Sequence, residues 1–514
     1  MVFTPASPPF DPSQSAIRAA YLADEAECVK ALLNEAALDS NTAMRTRARE
    51  LVRKVRATPA GKGLDAFLSE YDLGTREGIV LMCLAEGLLR IPDIATQDRL
   101  IHGLVLQGEW GKHLGKSHSL LVNASTWGLM LTGRIVRALS SEEAETLIRK
   151  LTSRLGDAAL RSAMRGAMGI LAGEFVIGQT IEEAFARIDR DYRYSFDMLG
   201  EAALTARDAE RYFDSYLTAI RTVGNSGKTD IFSAPGVSIK LSALHPRYEF
   251  AQRERVLNEL APRILALVKE AKDRGVLVTL DAEEADRLEI SLDVFKAIYR
   301  DLRGYEGFGL AVQAYQKRAP RVIDWLAALA KEHRRRIPLR LVKGAYWDTE
   351  IKRAQVQGLS SYSVFTRKLH TDVSYLACGR RMLSHRDAFY PQFATHNAHT
   401  IAYFIEAAGN TPFEFQRLYG MGEALYAQMV KEKACRVYAP VGSFDTLLPY
   451  LVRRLLENGA NTSFVNRIAD TKLPIEKVIA DPVEALRGRE PSPHPAIPLP
   501  RNLYGADRRN SPGL

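Results

Sequence analysis

At 514 residues, 46% of them hydrophobic and 25% charged, the chain is long enough for roughly two to four domains, or for one large barrel with additions. It has no run of about 18 uncharged apolar residues, which excludes a spanning helix, and the opening stretch MVFTPASPPFDPSQS has neither a basic start nor an apolar core, which excludes a secretory signal. The formal charge of +9 permits contact with nucleic acid or an anionic membrane surface, but it is spread along the chain without zinc-finger spacing or basic-region heptads, so DNA is not the expected partner and a non-catalytic DNA-binding or scaffolding protein stands only as a rival reading.

In chain order, residues 1–21 are rich in Pro and Ser and read as an extended arm. Residues 22–190 read as a helical domain, because Glu25–Ala37, Thr42–Arg56, Gly78–Leu89, Ala144–Leu155 and Leu160–Leu171 space apolar residues by three and four. From about Tyr192 short apolar runs alternate with helix-length segments. The runs are Tyr194–Leu199, Val237–Leu241, Val276–Leu280, Gly309–Gln313, Leu339–Val342, Gln392–Ala394, Phe413–Leu418 and Arg436–Ala439. Eight strands separated by helices predict an α/β fold with parallel βαβ units, and that number is the one that closes a (β/α)8 TIM-type barrel, here over 191–470. A doubly wound open sheet is the competitor, but it normally carries a Gly-rich dinucleotide turn after its first strand, and none is present. The basic run Lys331-Glu332-His333-Arg334-Arg335-Arg336 reads as a solvated helix end. Residues 471–514 read as a linker whose prolines, from Pro482 through Pro491, Pro493, Pro495, Pro498 and Pro500, favour extended geometry with no core to bury. It suggests a tether to something downstream. Cys28, Cys83, Cys378 and Cys435 are widely separated, so disulfides and structural zinc are not expected and a reducing cytoplasm fits best.

A barrel of this kind carries its chemistry at the C-terminal ends of its strands, and those ends are polar here. They include Lys240, Asp281, Gln313, Arg340, Lys343, Thr395, His396, Asn397, Gln416 and Tyr438. Any one of them has a plain reading as a surface or structural group; the expectation rests on their sharing one rim. Lys240 or Lys343 also leaves a Schiff-base aldolase open. After the eighth strand, Ser443–Gly459 reads as a capped amphipathic helix with Arg453 and Arg454 adjacent and Glu457 one turn on. That pair is either an exposed ion-pair face or a clamp for a carboxylate, which guanidinium groups hold through two parallel hydrogen bonds.

The segments SIKLSALHPRY (Ser238–Tyr248), LRLVKGAYWD (Leu339–Asp348), ATHN (Ala394–Asn397), YAPVG (Tyr438–Gly442) and YLVRRLLENGANTSFVNR (Tyr450–Arg467) resemble the proline dehydrogenase domain of proline utilisation A proteins, in the same order. The resemblance implies a flavoenzyme that holds FAD at the barrel mouth and oxidises L-proline to Δ1-pyrroline-5-carboxylate. It implies that Arg340 lies near the flavin N5, that Gln313 and Gln416 serve the ring, and that Val342, Gly344, Ala345 and Trp347 surround the ring and ribityl chain. Lys368, Thr371, Thr395, His396 and Asn397 are implied for the phosphates and adenosine, with Glu457, Phe464 and a share of Asp281 and Arg454 completing the shell. For the substrate it implies Arg453, Arg454 and Lys240 around the carboxylate, and Tyr438, Leu418, Tyr346 and Asp281 around the ring. It also implies electron transfer to membrane ubiquinone, and so a cytoplasmic protein associated peripherally with the inner face of the membrane. The stretch IPLPRNLYG (Ile497–Gly505) resembles the family's connection to a C-terminal aldehyde dehydrogenase, and the chain is expected to be cut before it. No ribbon-helix-helix pattern opens the chain, so the member expected is one that does not bind DNA. The oligomeric state stays open, a homo-oligomer included.

Overall fold

Parallel strands buried on both faces need crossover helices on the outside, and the eight apolar runs find them. The computed structural model describes residues 11–58, 96, 176–200, 202–227, 230–442, 467–468, 470–505, 508 and 510. The strands β1 (Arg193–Met198), β2 (Gly236–Ile239), β3 (Leu277–Leu280), β4 (Phe308–Gln313), β5 (Ile337–Val342), β6 (Phe389–Ala394), β7 (Glu414–Leu418) and β8 (Cys435–Val441) lie close to their expected limits. They pair in parallel and in chain order, and β8 closes on β1 with Ser195 opposite Tyr438. The described helices are, in chain order, α1 (Ser15–Ala19), α2 (Glu25–Ala36), α3 (Thr42–Ala57), α4 (Ile181–Ala186), α5 (Ala206–Val223), α6 (Arg253–Asp273), α7 (Leu288–Asp301), α8 (Ala319–Glu332), α9 (Trp347–Gln357), α10 (Lys368–Ser384), α11 (Ala398–Ala408), α12 (Glu423–Ala427), α13 (Ile475–Val478) and α14 (Pro482–Leu486). The expected segments Gly78–Leu89, Ala144–Leu155, Leu160–Leu171 and Ser443–Gly459 lie outside the described residues.

Alternation along each strand sorts the barrel wall. Val237, Ile239, Val278, Leu339, Leu341, Phe393 and Phe415 are buried against the helix ring, and Phe295 of α7 stacks on Phe308 at 4.8 Å. The inner positions are polar. At the lower end the Arg436 and Glu414 side chains are both fully buried and paired at 2.6 Å, with Arg193 on the second Glu414 oxygen at 3.0 Å. Arg436 also donates to the carbonyls of Tyr194, Ala234 and Phe232. Burial pushes the Glu414 carboxyl up, but Arg436 and then Arg193 more than offset it, leaving it below the ordinary glutamate range. The bottom of the barrel is therefore closed by a satisfied ionic network, and the open end is the opposite one.

Three expectations change. The N-terminal arm is not extended over its described part: Asp11 caps a short 3-10 turn at Pro12–Gln14 that leads into α1, and Gln14 is buried, donating to Asp293 at 3.1 Å. An Asp cap followed by Pro at the first helical position is a strong local start signal. Helices α2 and α3 share one apolar core with the barrel, with Val29, Leu32, Met44 and Val52 buried in it. Nor is the tail without a core. Pro482, Val483, Leu486, Pro491 and Pro500 are buried, and proline segments, which have no N–H to satisfy, dock through their carbonyls. Tyr362 donates to Pro498 O at 2.7 Å and Arg367 to Ser492 O at 2.7 Å. Tyr362→Phe is expected to cost about 1 kcal/mol, and limited proteolysis should then cut the tail near Pro498 sooner than in the parent protein. The basic run is a solvated helix end only over its first part, where Lys331, Glu332 and Arg334 are exposed. Arg335 is buried over the Tyr299 ring at 4.1 Å, and Arg336 pairs with Glu306 at 2.9 Å and covers Phe232.

Candidate active site

Exposure opens at the last residue of β5, β6 and β7, where Val342, Ala394 and Leu418 are half-buried above fully buried strands. This is the mouth. Just below it the inward side chains of five strands meet. Lys240 Nζ, following β2, donates to Asp197 Oδ1 of β1 at 2.6 Å and lies 3.5 Å from Asp281 Oδ2, after β3. Arg340 of β5 reaches across the barrel to Asp281 Oδ1 at 2.7 Å and to Ser195 and Ser238 Oγ, each at 3.1 Å. Tyr438 of β8 donates to Asp281 Oδ2 at 2.6 Å, and its ring lies under the Arg340 guanidinium at 5.2 Å. The Lys240 N–H donates to Tyr216 OH of α5 at 3.1 Å, which fixes the strand end.

Electrostatics follow from this packing. Burial works against the Lys240 ammonium, but Asp197, Tyr438 and Asp281 together outweigh it and hold the group well above its ordinary value. Burial lifts the Asp197 carboxyl above the usual range despite Lys240. Burial, with Asp197 and Asp281 behind it, lifts the Tyr438 phenol far up, so it stays a donor at neutral pH. A lysine that forms a Schiff base needs a depressed pKa; Lys240 has the opposite shift, and Lys343 is engaged with Asp372 away from the cluster. The aldolase reading loses its nucleophile.

Lys240, Asp281, Arg340 and Tyr438, all expected from the sequence, are brought together. Asp197 and Ser195 were missed, and Ser238, at the polar end of the second strand, was given no role; the available signal was a carboxylate two residues after a serine inside the apolar run Tyr194–Leu199. The remaining expected residues sit around the mouth with mixed duties. Gly344, at the end of β5, has φ +137, and a Cβ there would lie about 2.5 Å from the Tyr315 ring, so only glycine fits. Trp347 Nε1 donates to Phe365 O at 2.8 Å; Ala345 is exposed beside it and Tyr346 half-buried. Lys368 is exposed and Thr371 buried in the first turns of α10. Asn397 Oδ1 caps α11 by accepting from His399 N at 2.8 Å and Thr400 N, Thr395 Oγ1 accepts from Asn397 N, and His396 Nε2 accepts from Leu418 N at 3.1 Å. Gln313 is held by Gln316 at 2.7 Å, whereas the Gln416 amide turns down to Glu414 at 3.1 Å. Arg453, Arg454, Glu457 and Phe464 lie outside the described residues.

Two of the buried polar atoms that pairing leaves over sit in this region. Arg340 Nε and Asp197 Oδ2 are buried without a partner among the described atoms. A guanidinium face and a carboxylate oxygen with hydrogen-bonding capacity to spare suit a planar heterocycle that carries both acceptors and donors, as an isoalloxazine does.

Comparison with known proteins agrees with this geometry. The family model described as "Proline dehydrogenase" matches residues 180–467, and the model for the "Proline utilization A proline dehydrogenase N-terminal domain" matches 11–56. A third model, described as "DNA-binding domain of Proline dehydrogenase", matches 63–175, of which only Thr96 is among the described residues. Its description names DNA, a partner that the basic charge and the helical N-terminal half left open only as a rival reading. The bifunctional protein PutA of Escherichia coli is 49% identical over 98% of this chain, which spans 40% of that protein's length. A proline dehydrogenase of Deinococcus radiodurans is 30% identical over 59% of this chain and 90% of its own. A crystal structure of a bifunctional proline utilization A protein superposes with a TM-score of 0.76 at 45% identity, covering 99% of this chain and 52% of that one. The closed barrel, the charged cluster at its mouth and these matches lead to one assignment: the chain belongs to the proline dehydrogenase family.

Proposed function

We propose that this chain oxidises L-proline to Δ1-pyrroline-5-carboxylate at the barrel mouth with FAD as cofactor. The observation that carries the reading is the buried Asp197–Lys240–Asp281–Arg340–Tyr438 cluster beneath that mouth. Arg340, Gln313, Val342, Gly344, Ala345 and Trp347 would hold the flavin ring and ribityl chain, and Lys368, Thr371, Thr395, His396 and Asn397 the phosphates and adenosine. When bound, the flavin supplies a two-electron acceptor for the hydride.

The protein's own part is charge and position. Two cations, Lys240 and Arg340, face two carboxylates, Asp197 and Asp281, so the cluster has no positive charge to spare. A substrate carboxylate entering a closed site needs such compensation, and Arg453 and Arg454 are the groups in the sequence that supply it. Lys240 then acts by holding Asp197 and Asp281 in place and by facing the carboxylate from below. The ring nitrogen must give up its extra proton before the neighbouring carbon releases hydride. Asp281, with 12% of its side chain exposed against none for Asp197, is the carboxylate a substrate proton can reach. Tyr438, Leu418 and Tyr346 close around the ring. Counted from the ring ammonium, loss of that proton and one hydride leaves the protonated imine, and a second proton leaves to give the neutral C=N product.

The same reading sends the electrons on to membrane ubiquinone from a cytoplasmic, peripherally bound protein. Among the described residues no helix is long and apolar enough to cross a membrane. A downstream aldehyde dehydrogenase fits relatives that are more than twice as long as this chain, since the ring-opened product is an aldehyde.

A visible absorption spectrum tests the core of this. The purified protein, supplied with FAD, is expected to show flavin bands that bleach on anaerobic addition of proline. A colourless protein that takes up no FAD, or bands that proline leaves unchanged, would sink it.

A further inference from the structure

The side chain of Glu25, on the first residue of α2, is only 3% exposed. That places a carboxylate inside the protein, in a segment outside the barrel strands, and a buried carboxylate needs a reason. Its partners are all at the start of α10. It accepts from Thr366 N at 3.0 and 3.1 Å, from Thr366 Oγ1 at 2.9 and 3.1 Å, and it meets His370 Nδ1 at 2.6 Å. Helix α10 has no side-chain cap of its own, since Arg367 at its N-cap makes no such bond. Glu25 thus ties the residue before the cap to the third residue of the helix, and places negative charge where the helix dipole favours it.

Other bonds lock the same turn. Lys317 donates to Ala23 O at 2.8 Å, just ahead of α2, and its own N–H donates to Ser363 O at 3.1 Å. The tail joins from the other side, with His494 N donating to Thr366 Oγ1 at 2.8 Å and Arg367 to Pro493 O at 3.1 Å. Trp347 hangs on Phe365 O. The two residues of α10 that the flavin reading assigns to the phosphates, Lys368 and Thr371, lie inside and next to the span that Glu25 braces.

We infer that Glu25 is a positioning residue for the flavin site: a brace supplied by the N-terminal helix that holds the first turn of α10, and with it Lys368 and Thr371, in the place the cofactor's phosphates require. This rests on the flavin reading above. A purely structural role for the arm would predict that any loosening of α2 from α10 has the same effect. Glu35, which pairs with Arg381 further along the same two helices, serves as that control.

The experiment is a fluorescence titration of the flavin-free full chain with FAD, for the parent protein and for Glu25→Ala, Glu25→Gln and Glu35→Ala, with amide exchange over residues 366–371 measured before FAD is added. Glu25→Ala is expected to weaken FAD binding about tenfold or more and to speed exchange over the braced turn by a similar factor. Glu25→Gln keeps the volume and part of the accepting capacity, so it is expected to fold even where Ala does not and to weaken FAD by about threefold. Glu35→Ala is expected to stay within about twofold of the parent in FAD affinity, and proline turnover at saturating FAD is expected to be unchanged in both Glu25 variants. Faster exchange in Glu25→Ala with unaltered FAD affinity would overturn the positioning role and leave the flavin reading intact. So would an equal loss of affinity in Glu35→Ala. A parent protein that takes up no FAD would overturn both at once.

Discussion

Replacing Arg453 or Arg454 by Met is expected to raise the KM for proline by roughly 30-fold to several thousand-fold, the loss that goes with removing one buried, charge-assisted contact of about 2–5 kcal/mol. The argument is one of charge. In the described mouth the two cations are already matched by two carboxylates, so on the proposed reading the substrate carboxylate depends on guanidinium groups outside that cluster. Met keeps the length and apolar character of the arginine stem, so the fold should survive and the effect should appear in binding. Steady-state kinetics with proline as the varied substrate, beside a melting curve for each variant, check it. Near-parental KM values in both would overturn the clamp and leave the plain reading of the pair as an exposed ion-pair face.

The barrel was legible because parallel strands buried on both faces are short apolar runs, and eight of them punctuated by helices leave few topologies. Lys240, Asp281, Arg340 and Tyr438 were legible because a barrel concentrates chemistry at one end of its strands. Asp197 was not, because it sits one residue short of its strand's end and a single carboxylate in an apolar run is easily passed over. Glu414 and Arg436 were missed for a related reason: they lie at the beginnings of their strands, where no chemistry is looked for, and their pairing serves closure of the barrel floor. The arm and tail were misjudged because local pattern carries no information about partners far along the chain. Glu25 bonds to Thr366, and Tyr362 to Pro498; neither pair has a signature in its own neighbourhood. Arg335 shows the same limit, since a basic run reads as solvated until an aromatic face is found beneath it.

Lys240→Met tests the cluster itself, and a loss of about 3–5 kcal/mol of stability is expected, because it leaves the Asp197 carboxylate buried without its cation. Asp197 has no exposed side-chain surface, and its second oxygen already has no donor among the described atoms; the remaining neighbours, Asp281 and the high-pKa Tyr438, do not supply a positive charge. The double variant Lys240→Met with Asp197→Leu removes both charges and is expected to regain most of that stability, as replacement of a buried ion pair by apolar groups of similar size commonly does. Proline turnover should not return with it. Asp281 would keep Arg340 but lose the ammonium on its other oxygen, and the floor beneath the substrate would be apolar. Thermal unfolding of the parent, the two single variants and the double variant gives the coupling directly, and proline-dependent flavin bleaching gives the function. If Lys240→Met melts with the parent protein, the pair is not the buried ion pair inferred here; if the double variant turns over proline normally, the charges are there for the fold and take no part in the chemistry.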